Sequence, residues 1–287
     1  MLIIGCGDIA RRALPELSRL YRIAALLRSP NLAVGTSGVE LIEGDLDDAA
    51  SLAPLAGRAR HVAHLAPPTE TGSLDLRMRN LLEVLATPGA MLPRRFVYIS
   101  TSGVYGDCRG DFVKETRLPA PQTERAKRRL DAEQVVSEWG ERNKVEVVIL
   151  RVPGIYASDR LPLERIARGT PVLRAEDDVY TNHVHADDLA AILVAALESA
   201  DAHGAYNACD DGPMKMGDFF DLVADRVGLA RPSRVSRAEA ARRVSPELLS
   251  FMSESRRLVN RRMKAELGVR LRYPTVADGV PAMVQTA

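Results

Sequence analysis

Two glycines and an alanine lie where the first apolar run of the chain meets its first helical pattern. The opening residues MLIIGCGDIARR place Gly5, Gly7 and Ala10 in a Gly-x-Gly-x-x-Ala spacing. The first glycine permits a tight turn, the second lets the backbone approach a ligand, and the small third residue lets helix and strand pack closely. N–H groups at the start of the helix carry a partial positive charge that suits a pyrophosphate. The motif predicts a dinucleotide site built from Gly5, Cys6, Gly7, Asp8 and Ile9.

Charged side chains near the motif indicate which dinucleotide it accepts. The second apolar run ends in ALLRSP, so Arg28 and Ser29 stand where NAD sites usually carry an acid for the ribose 2′-hydroxyl. An arginine suits the 2′-phosphate of NADP instead, and Arg11 or Arg12 could assist from the helix. The Asp8 carboxylate could repel phosphate, but aspartate is also a good N-cap, which is the role we expect. The predicted cofactor is therefore NADP(H) rather than NAD(H).

Short apolar runs alternate with amphipathic stretches through the first half of the chain. The runs cover residues 2–4, 23–27, 39–43, 61–65, 96–99 and 145–150. Apolar residues at three- and four-residue spacing predict helices between most of them, such as 9–20, 74–86 and 124–142. Buried strands alternating with helices imply right-handed crossovers and a parallel sheet covered on both faces. We predict an α/β, Rossmann-type doubly wound domain over residues 1–152.

The pattern changes after Arg151. A turn-rich segment, VPGIYASDRLP, is followed by short strands near 171–173 and 179–183, helices at 187–198 and 216–227, and a strand at 205–208. The C-terminal part is basic and helical, with prolines interrupting it. We predict that residues 153–287 form a smaller C-terminal substrate lobe, with one or more elements returning to the sheet.

Composition excludes several classes of protein. Of 287 residues, 46% are hydrophobic and 27% charged, with 39 Lys and Arg against 38 Asp and Glu. This balance gives no net field to attract nucleic acid or an anionic membrane. Three widely spaced cysteines suggest neither a disulfide framework nor a zinc site, and no run approaches the roughly 20 apolar residues of a membrane span. Without a signal-peptide pattern, we expect a cytoplasmic protein with no nucleic-acid or membrane partner.

Further segments, in order along nearly the whole chain, resemble the extended short-chain dehydrogenase/reductases, the NAD-dependent epimerase/dehydratase family. They are EGDLDD, HVAHLAPP, RNLLEVL, FVYISTSGVYGD, ILRVPGIYA, NHVHADDLAAIL and YNACDDGPMKMGDFFDLV. The resemblance implies that Asp45 contacts the adenine, with Leu46 beside it among the cofactor-binding residues. It likewise implies that Leu65, Ala66 and Pro67 lie near the cofactor phosphates and ribose.

The same resemblance implies a catalytic group. Thr101 stands where the family has its Ser or Thr, whose hydroxyl hydrogen-bonds the oxygen of the substrate. The family's Tyr-x-x-x-Lys should follow on the next long helix, with tyrosine as general acid/base and lysine lowering its pKa and binding the nicotinamide ribose. One register of PQTERAKRRLDAEQ gives Thr123 and Lys127, and a register shifted by two gives Arg125 and Arg129. We take Thr101, Thr123 and Lys127 as the candidate catalytic residues.

Both registers lack the tyrosine, and none occurs between Tyr105 and Tyr156. Thr123 cannot simply replace it, because a threonine hydroxyl has no accessible pKa for acid/base catalysis near neutral pH. The chain therefore looks like an atypical family member without the catalytic tyrosine. Tyr105, Tyr156 or His183 could do the acid/base work from other elements, the reaction could need little proton transfer, or the protein could bind the nucleotide without turnover.

The histidines are interpreted structurally. HVHADD superficially resembles a metal cluster, but strand alternation puts His183 and His185 on one face and Asp187 is expected to be a helix N-cap, so no metal site is predicted. His64, next to the expected cofactor edge, is interpreted as a buried histidine with its hydrogen bonds satisfied.

Two functions remain open. The first is an NADP(H)-dependent oxidoreductase of the epimerase/dehydratase type acting on a small oxygenated substrate, such as a nucleotide sugar. The second is a catalytically silent dinucleotide-binding sensor or scaffold. The helices flanking TERAKRRLDAEQVVSEW correspond to a pairing surface in the family, which implies a homodimer.

Overall fold

A computed structural model describes residues 1–29 and 37–281 of the chain. The strands of its main sheet are β1 (Leu2–Ile4), β2 (Ala24–Leu27), β3 (Glu40–Glu43), β4 (His61–His64), β5 (Arg95–Thr101), β7 (Glu146–Val152) and β12 (Gly204–Asn207). The shorter strands are β6 (Phe112–Val113), β8 (Gly154–Tyr156), β9 (Val172–Leu173), β10 (Tyr180–Thr181), β11 (His183–His185), β13 (Met214–Lys215), β14 (Arg234–Val235) and β15 (Arg257–Leu258).

Helices connect most of these strands. They are α1 (Asp8–Leu20), α2 (Leu76–Leu85), α3 (Glu124–Asn143), α4 (Leu163–Ala167), α5 (Ala186–Glu198), α6 (Met216–Val227), α7 (Arg237–Arg243), α8 (Pro246–Phe251), α9 (Arg261–Leu267) and α10 (Val276–Gly279). Across residues 1–29 and 37–281, no helix combines the length and apolar character needed to cross a bilayer.

One seven-stranded sheet, parallel throughout, has the order β12-β7-β5-β4-β1-β2-β3. Alternate residues of β5 face opposite sides, so Val97 packs in one core cluster with α1 and α5, while Phe96 and Tyr98 pack in the other with α2 and α3. Helices thus cover both faces of the sheet, and the predicted doubly wound α/β fold is confirmed.

Residues after β7 contribute both to this sheet and to a separate core. Strand β12 pairs with β7, and Ala205 lies opposite Ile149. A third hydrophobic cluster forms around α6, where Phe219 and Phe220 are buried together with Val172 of β9. The paired strands β8 and β11 carry residues from this part toward the carboxyl end of β7. The carboxyl ends of parallel strands are where α/β sheets bind ligands.

Two predicted helix caps are wrong. Gly7, not Asp8, is the N-cap of α1, and His185, not Asp187, is the N-cap of α5, with its Nδ1 accepting from the N–H of residue 187 at 3.2 Å. Both aspartates lie within the first turn, and both carboxylates accept hydrogen bonds from Arg12, at 3.0 and 2.7 Å. A charge-assisted bond to a guanidinium is about twice as strong as a neutral one, which favours this arrangement over a cap.

Candidate functional site

The glycine loop between β1 and α1 is held against the loop that follows β4. Gly5 has a φ of +86°, and a Cβ on it would lie 2.6 Å from the backbone nitrogen of Ala66. A side chain at position 5 would therefore be both strained and in collision with backbone. The N–H groups of Leu65 and Ala66 donate to the Ile4 carbonyl at 2.8 and 3.0 Å, which fixes this contact.

Gly7, unlike Gly5, has open space where a side chain would be. A Cβ there would meet no atom within 4 Å, because the residue borders an open cavity of about 430 Å³. The cavity reaches the start of α1, and it contains most of the residues predicted to bind a dinucleotide. Those that line it are Gly5, Cys6, Gly7, Asp8, Ile9, Arg28, Asp45, Leu46, Leu65, Ala66 and Pro67.

The structure does not bring Ser29 to this cavity, since it is absent from the described residues that line it. It follows Arg28 in the chain, two residues beyond the end of β2. Arg28 itself is exposed at the rim.

Asp8 is paired with two arginines. Its carboxylate accepts from Arg12 Nε at 3.0 Å and from Arg160 Nη1 at 3.0 Å. Arg12 also binds Asp159 at 2.7 and 2.8 Å and Asp187 at 2.7 Å, so it joins α1, the turn Ser158–Arg160 and the start of α5. The Asp8 charge is therefore shared with cations, which reduces its repulsion of an anion at the glycine loop.

The opposite end of the cavity is organised by Arg77. Its guanidinium binds both carboxylate oxygens of Asp47 at 2.8 and 2.5 Å and the carbonyls of Pro67 and Pro68 at 3.3 and 3.1 Å. The hydrogen bond from Arg77 holds the pKa of Asp47 below its usual range. The Asp45 carboxylate nearby accepts from the Asp47 N–H at 3.0 Å, which fixes the turn after β3.

A second, larger cavity of about 860 Å³ adjoins the first. Ile155 and Arg160 line both cavities, so they form the boundary between them. Thr101, at the carboxyl end of β5, lines the second cavity. Its Oγ1 accepts from the Gly103 N–H at 3.2 Å, an arrangement that leaves the hydroxyl proton to be donated to a ligand.

Helix α3 approaches both cavities with its first turns. Thr123 is the N-cap, accepts from the Ala126 N–H at 3.2 Å and lines the second cavity together with Arg125. Arg129, one turn further, lines the first cavity; its Nη1 donates to the Ile99 carbonyl at 2.8 Å and to Tyr98 Oη at 3.1 Å.

Lys127 is not brought to either cavity. Its side chain is exposed and its Nζ lies 2.7 Å from Glu124 Oε1. Residues 127 and 129 are about 200° apart around a helix, so they cannot both face the sheet. Both members of the register with Arg125 and Arg129 line a cavity, whereas in the other register Thr123 does and Lys127 does not, so the sequence-based choice of Lys127 is not supported by its position.

Of the three groups considered for proton transfer, both tyrosines are engaged elsewhere. Tyr105 is buried, donates to Asn207 Oδ1 at 2.8 Å and accepts from Arg151 at 2.9 Å, and burial raises its pKa to about 12. Tyr156 borders the second cavity, but its hydroxyl donates to the Thr275 carbonyl at 3.1 Å and burial raises its pKa.

His183 differs from the tyrosines because its buried ring nitrogen makes no hydrogen bond to a described residue. It lines the second cavity, stacks on Phe219 with centroids 4.3 Å apart, and its buried Nδ1 has no hydrogen-bond partner among the described residues. Burial lowers its pKa to about 4, so the ring is neutral at pH 7. The strand register places it near Thr101. His183 of β11 pairs with Gly154 of β8, and Thr101 of β5 pairs with Val152 of β7, which precedes Gly154 by two residues.

His64, which was expected to be a buried histidine with its hydrogen bonds satisfied, lacks them among the described residues. His64 is fully buried against the Tyr98 ring, yet neither ring nitrogen has a hydrogen-bond partner in the part of the chain that the structure describes. Burial lowers its pKa to about 3, so it is a neutral core residue. The described residues contain no cluster of three or more His, Cys, Asp or Glu side chains arranged to hold a metal ion.

A family model for the NAD dependent epimerase/dehydratase family matches residues 5–209, from the glycine loop to the end of the segment after β12. The chain belongs to this family. The match covers both the glycine loop and the β5 end that carries Thr101, and it ends before α6. No curated protein matches the chain.

Solved structures of similar proteins cover nearly the whole chain. A conserved protein of unknown function from Silicibacter pomeroyi is 29% identical, with a TM-score of 0.80 over 97% of this chain and 95% of that one. The UDP-glucose 4-epimerase of Thermus thermophilus, solved with NAD, is 24% identical, with a TM-score of 0.76 over 98% and 97%. A putative epimerase from Burkholderia cenocepacia is 20% identical, with a TM-score of 0.78 over 98% and 95%.

Sequence reasoning missed three residues of this family member's site. Arg160 lies in the turn Ser158–Arg160 after β8 and Arg165 on the short helix α4 that follows, and neither arginine belongs to a motif. Arg77 lies on the helix of the RNLLEVL segment, four residues ahead of Leu81, and only the position of that helix beside β4 brings it to the cavity. The sequence signal for Arg165 is an arginine on the apolar side of a short helix. Many surface helices share this pattern, so it does not identify a site residue.

Proposed function

We propose that this chain is an NADP(H)-dependent oxidoreductase of the epimerase/dehydratase type that acts on a small oxygenated substrate, such as a nucleotide sugar. The observation that carries the proposal is the pair of adjoining cavities. The glycine loop lies in one, Thr101 and His183 lie in the other, and Ile155 and Arg160 line both. In this proposal residues 1–152 bind the cofactor and residues 153–287 select the substrate.

The first cavity suits a dinucleotide in shape and charge. The open space at Gly7 lets backbone approach a pyrophosphate, and the start of α1 offers its N–H groups there. Arg28 borders the cavity, and no acidic residue follows it in the chain before Glu40. A ribose 2′-phosphate would gain a cation there, whereas a 2′-hydroxyl would find no carboxylate acceptor from this segment, which favours NADP(H).

The chain's departure from the family pattern lies on α3, where the resemblance expects tyrosine and lysine. We propose that Arg125 and Arg129 occupy these two positions and that the chain represents a subgroup without the catalytic tyrosine. Arg129 keeps one function of the lysine: with Nη1 held by Ile99 and Tyr98, its other N–H groups remain to bind the ribose hydroxyls.

His183 supplies the proton acceptor in this proposal. Bound nicotinamide provides the hydride acceptor or donor. Thr101 donates a hydrogen bond to the substrate oxygen, and neutral His183 accepts the proton of a substrate hydroxyl at Nε2, since Nδ1 is buried. Arg125, a permanent cation, cannot take that proton, but it can stabilise negative charge as it develops on the oxygen.

A silent dinucleotide-binding protein is the second candidate. The specific observation in its favour is the permanent cation Arg125 in place of a titratable group, with its guanidinium 4.3 Å above the Phe251 ring in the wall of the second cavity. Such a residue lowers the capacity for acid/base chemistry without removing the capacity to bind.

Calorimetric titration with NADPH, NADP⁺, NADH and NAD⁺ tests the cofactor, and a screen of NADP⁺ with sugar nucleotides and simpler alcohols tests turnover. We expect tighter binding of the phosphorylated pair, and turnover that falls about 10- to 100-fold in Thr101→Val and His183→Gln with cofactor binding unchanged. Binding without turnover of any compound would favour the silent candidate. Absence of binding to all four dinucleotides would contradict both.

We also propose the homodimer that the family resemblance implies, with α2 and α3 as its interface. A shallow depression of about 410 Å³ between them is bordered by Leu82, Val135 and Trp139. Sedimentation should show a dimer that Val135→Arg converts to a monomer. A monomeric wild type would contradict this part of the proposal.

A further inference from the structure

Arg165 on α4 extends into the second cavity without a counter-ion. Its Nε and Nη2 are buried and lack hydrogen-bond partners, and its guanidinium lies 4.1 Å above the Phe220 ring. No described residue places a carboxylate within ion-pair distance of it, although the same helix carries Glu164, which pairs with Arg168.

The other cations in the cavity wall are already paired. Arg256 lies 2.8 Å from Glu254, Arg160 lies 3.0 Å from Asp8, and Arg125 lies 3.7 Å from Glu247. Arg165 is therefore distinct in this wall as a partly buried guanidinium for which the described residues provide no carboxylate.

An unpaired buried charge is costly, because the atoms that lose water gain nothing in return. Burial lowers the pKa of Arg165 to about 10, so the group still carries its charge at pH 7 and the cost persists in the ligand-free protein. An anion in the cavity would offset that cost through its charge, and it would accept a charge-assisted hydrogen bond from Nη1, the guanidinium nitrogen that is not among the buried, unpartnered atoms.

We propose that Arg165 binds an anionic oxygen group of the substrate, a phosphate or a carboxylate. The inference rests on the proposed function only in taking the second cavity as the substrate site. The occupant is defined by its chemistry: a negatively charged group that offers an oxygen to the guanidinium.

Aromatic contacts locate this group relative to the reacting end of the cavity. His183 stacks on Phe219 at 4.3 Å, Phe219 meets Phe220 edge-on at 5.5 Å, and Arg165 covers Phe220 at 4.1 Å. Two aromatic rings therefore separate Arg165 from His183. The anionic group is a recognition group at a distance from the carbon that reacts, so the substrate spans these rings rather than fitting beside His183 alone.

The test compares Arg165→Met with wild type, using Arg168→Met as the matched control on the same helix. Without ligand, Arg165→Met should raise Tm by a few degrees, because it replaces an uncompensated charge with an apolar side chain of similar length. Arg168→Met should change Tm little, since it removes only an exposed pair. A structural role for Arg165 would instead make Arg165→Met lower Tm.

Titration with inorganic phosphate and, separately, acetate then tests the site directly. Arg165→Met should weaken binding of the preferred anion about tenfold or more, Arg165→Lys should weaken it less, and Arg168→Met should leave it unchanged. Any anion bound at the glycine loop is common to all variants, so the difference between them reports on the second cavity. Stronger binding of phosphate or of acetate identifies which group the site takes.

A fall in Tm together with equal anion affinity in wild type and Arg165→Met would overturn the proposal. Equal affinity of wild type and Arg165→Met for phosphate and for acetate would overturn it even without a fall in Tm. Neither readout needs cofactor or turnover, so this proposal and the proposed oxidoreductase function can fail independently.

Discussion

Arg160 Nη1 lies 3.0 Å from Asp8 Oδ2, so a residue that borders both cavities is joined to the first residue of α1. The two residues are 152 positions apart in the chain. Because Arg12 binds the same carboxylate, the negative charge nearest the glycine loop is surrounded by two guanidiniums. This arrangement explains how an aspartate is tolerated where a pyrophosphate is expected.

Removing Arg160 should weaken dinucleotide binding. In Arg160→Ala, Asp8 keeps only Arg12, and we expect the Kd for NADP⁺ to rise roughly 5- to 10-fold, equivalent to about 1 kcal/mol. Adding Asp8→Asn removes the exposed carboxylate and should restore most of the affinity. Calorimetry on the two single variants and the double variant measures the coupling, and a double variant as weak as Arg160→Ala would contradict the explanation.

Arg28→Ala should discriminate between the two forms of the cofactor. Loss of a cation beside the 2′-phosphate should raise the Kd for NADPH about tenfold or more and leave that for NADH nearly unchanged. Arg19→Ala, which removes an exposed arginine paired with Glu16 on the outside of α1, serves as control. Equal losses for both cofactors would show that Arg28 does not contact the 2′-phosphate.

Helix α3 gives a comparison of two cations two residues apart. Arg129→Ala should weaken binding of NADP⁺ several-fold, because the side chain lines the cavity and is held by the Ile99 carbonyl. Lys127→Ala should leave binding unchanged, since Lys127 is exposed and paired only with Glu124. The opposite ranking in a calorimetric titration would restore the Thr123 and Lys127 register.

Acid should destabilise the protein through its buried neutral histidines. The pKa of His183 is lowered to about 4 and that of His64 to about 3, against about 6.5 in an unfolded chain. Between pH 6.5 and 4 the unfolded chain binds protons that the folded protein excludes, so the free energy of unfolding falls as pH falls. From pH 7 to 4.5 each histidine should contribute a loss on the order of 2 to 3 kcal/mol.

Urea unfolding at the two pH values, followed by fluorescence of the single tryptophan, measures this loss. Burial raises the pKa of Asp210 to about 8, and that group acts in the opposite direction over the same range. The comparison of wild type with His183→Phe isolates the histidine, because Asp210 is common to both. An unchanged pH dependence in His183→Phe would contradict a neutral buried ring at position 183.

Local features of the fold could be predicted from the sequence with small errors at the ends of elements. The run at 145–150 became β7 (Glu146–Val152), and the pattern at 124–142 became α3 (Glu124–Asn143). The predicted helix at 216–227 matches α6. Hydrophobic periodicity is a local property, so it identifies elements well and their last residues less well.

Long-range pairing was less predictable. Asp8 and Asp187 fit the sequence preference for N-caps, but tertiary contacts with Arg12 override that preference. His64 was expected to have hydrogen-bond partners, and the packing of β4 against Tyr98 leaves its ring nitrogens without any in the described chain. In each case the deciding partner is distant in sequence.

The sequence by itself determined the alternation of strands and helices and the position of the glycine loop, because a strand, a tight turn and a helix are specified by neighbouring residues. Only the tertiary structure decided which charged residues of α3 meet the cavities, since the apolar residues of ERAKRRLDAEQ are two alanines and one leucine, a side too weak to fix the rotation of the helix. It also brought His183 and Thr101 to one cavity and left Arg165 there without a partner among the described residues. Those relationships depend on how β8, β11 and α4 pack at the end of the sheet, and local periodicity carries no information about such packing.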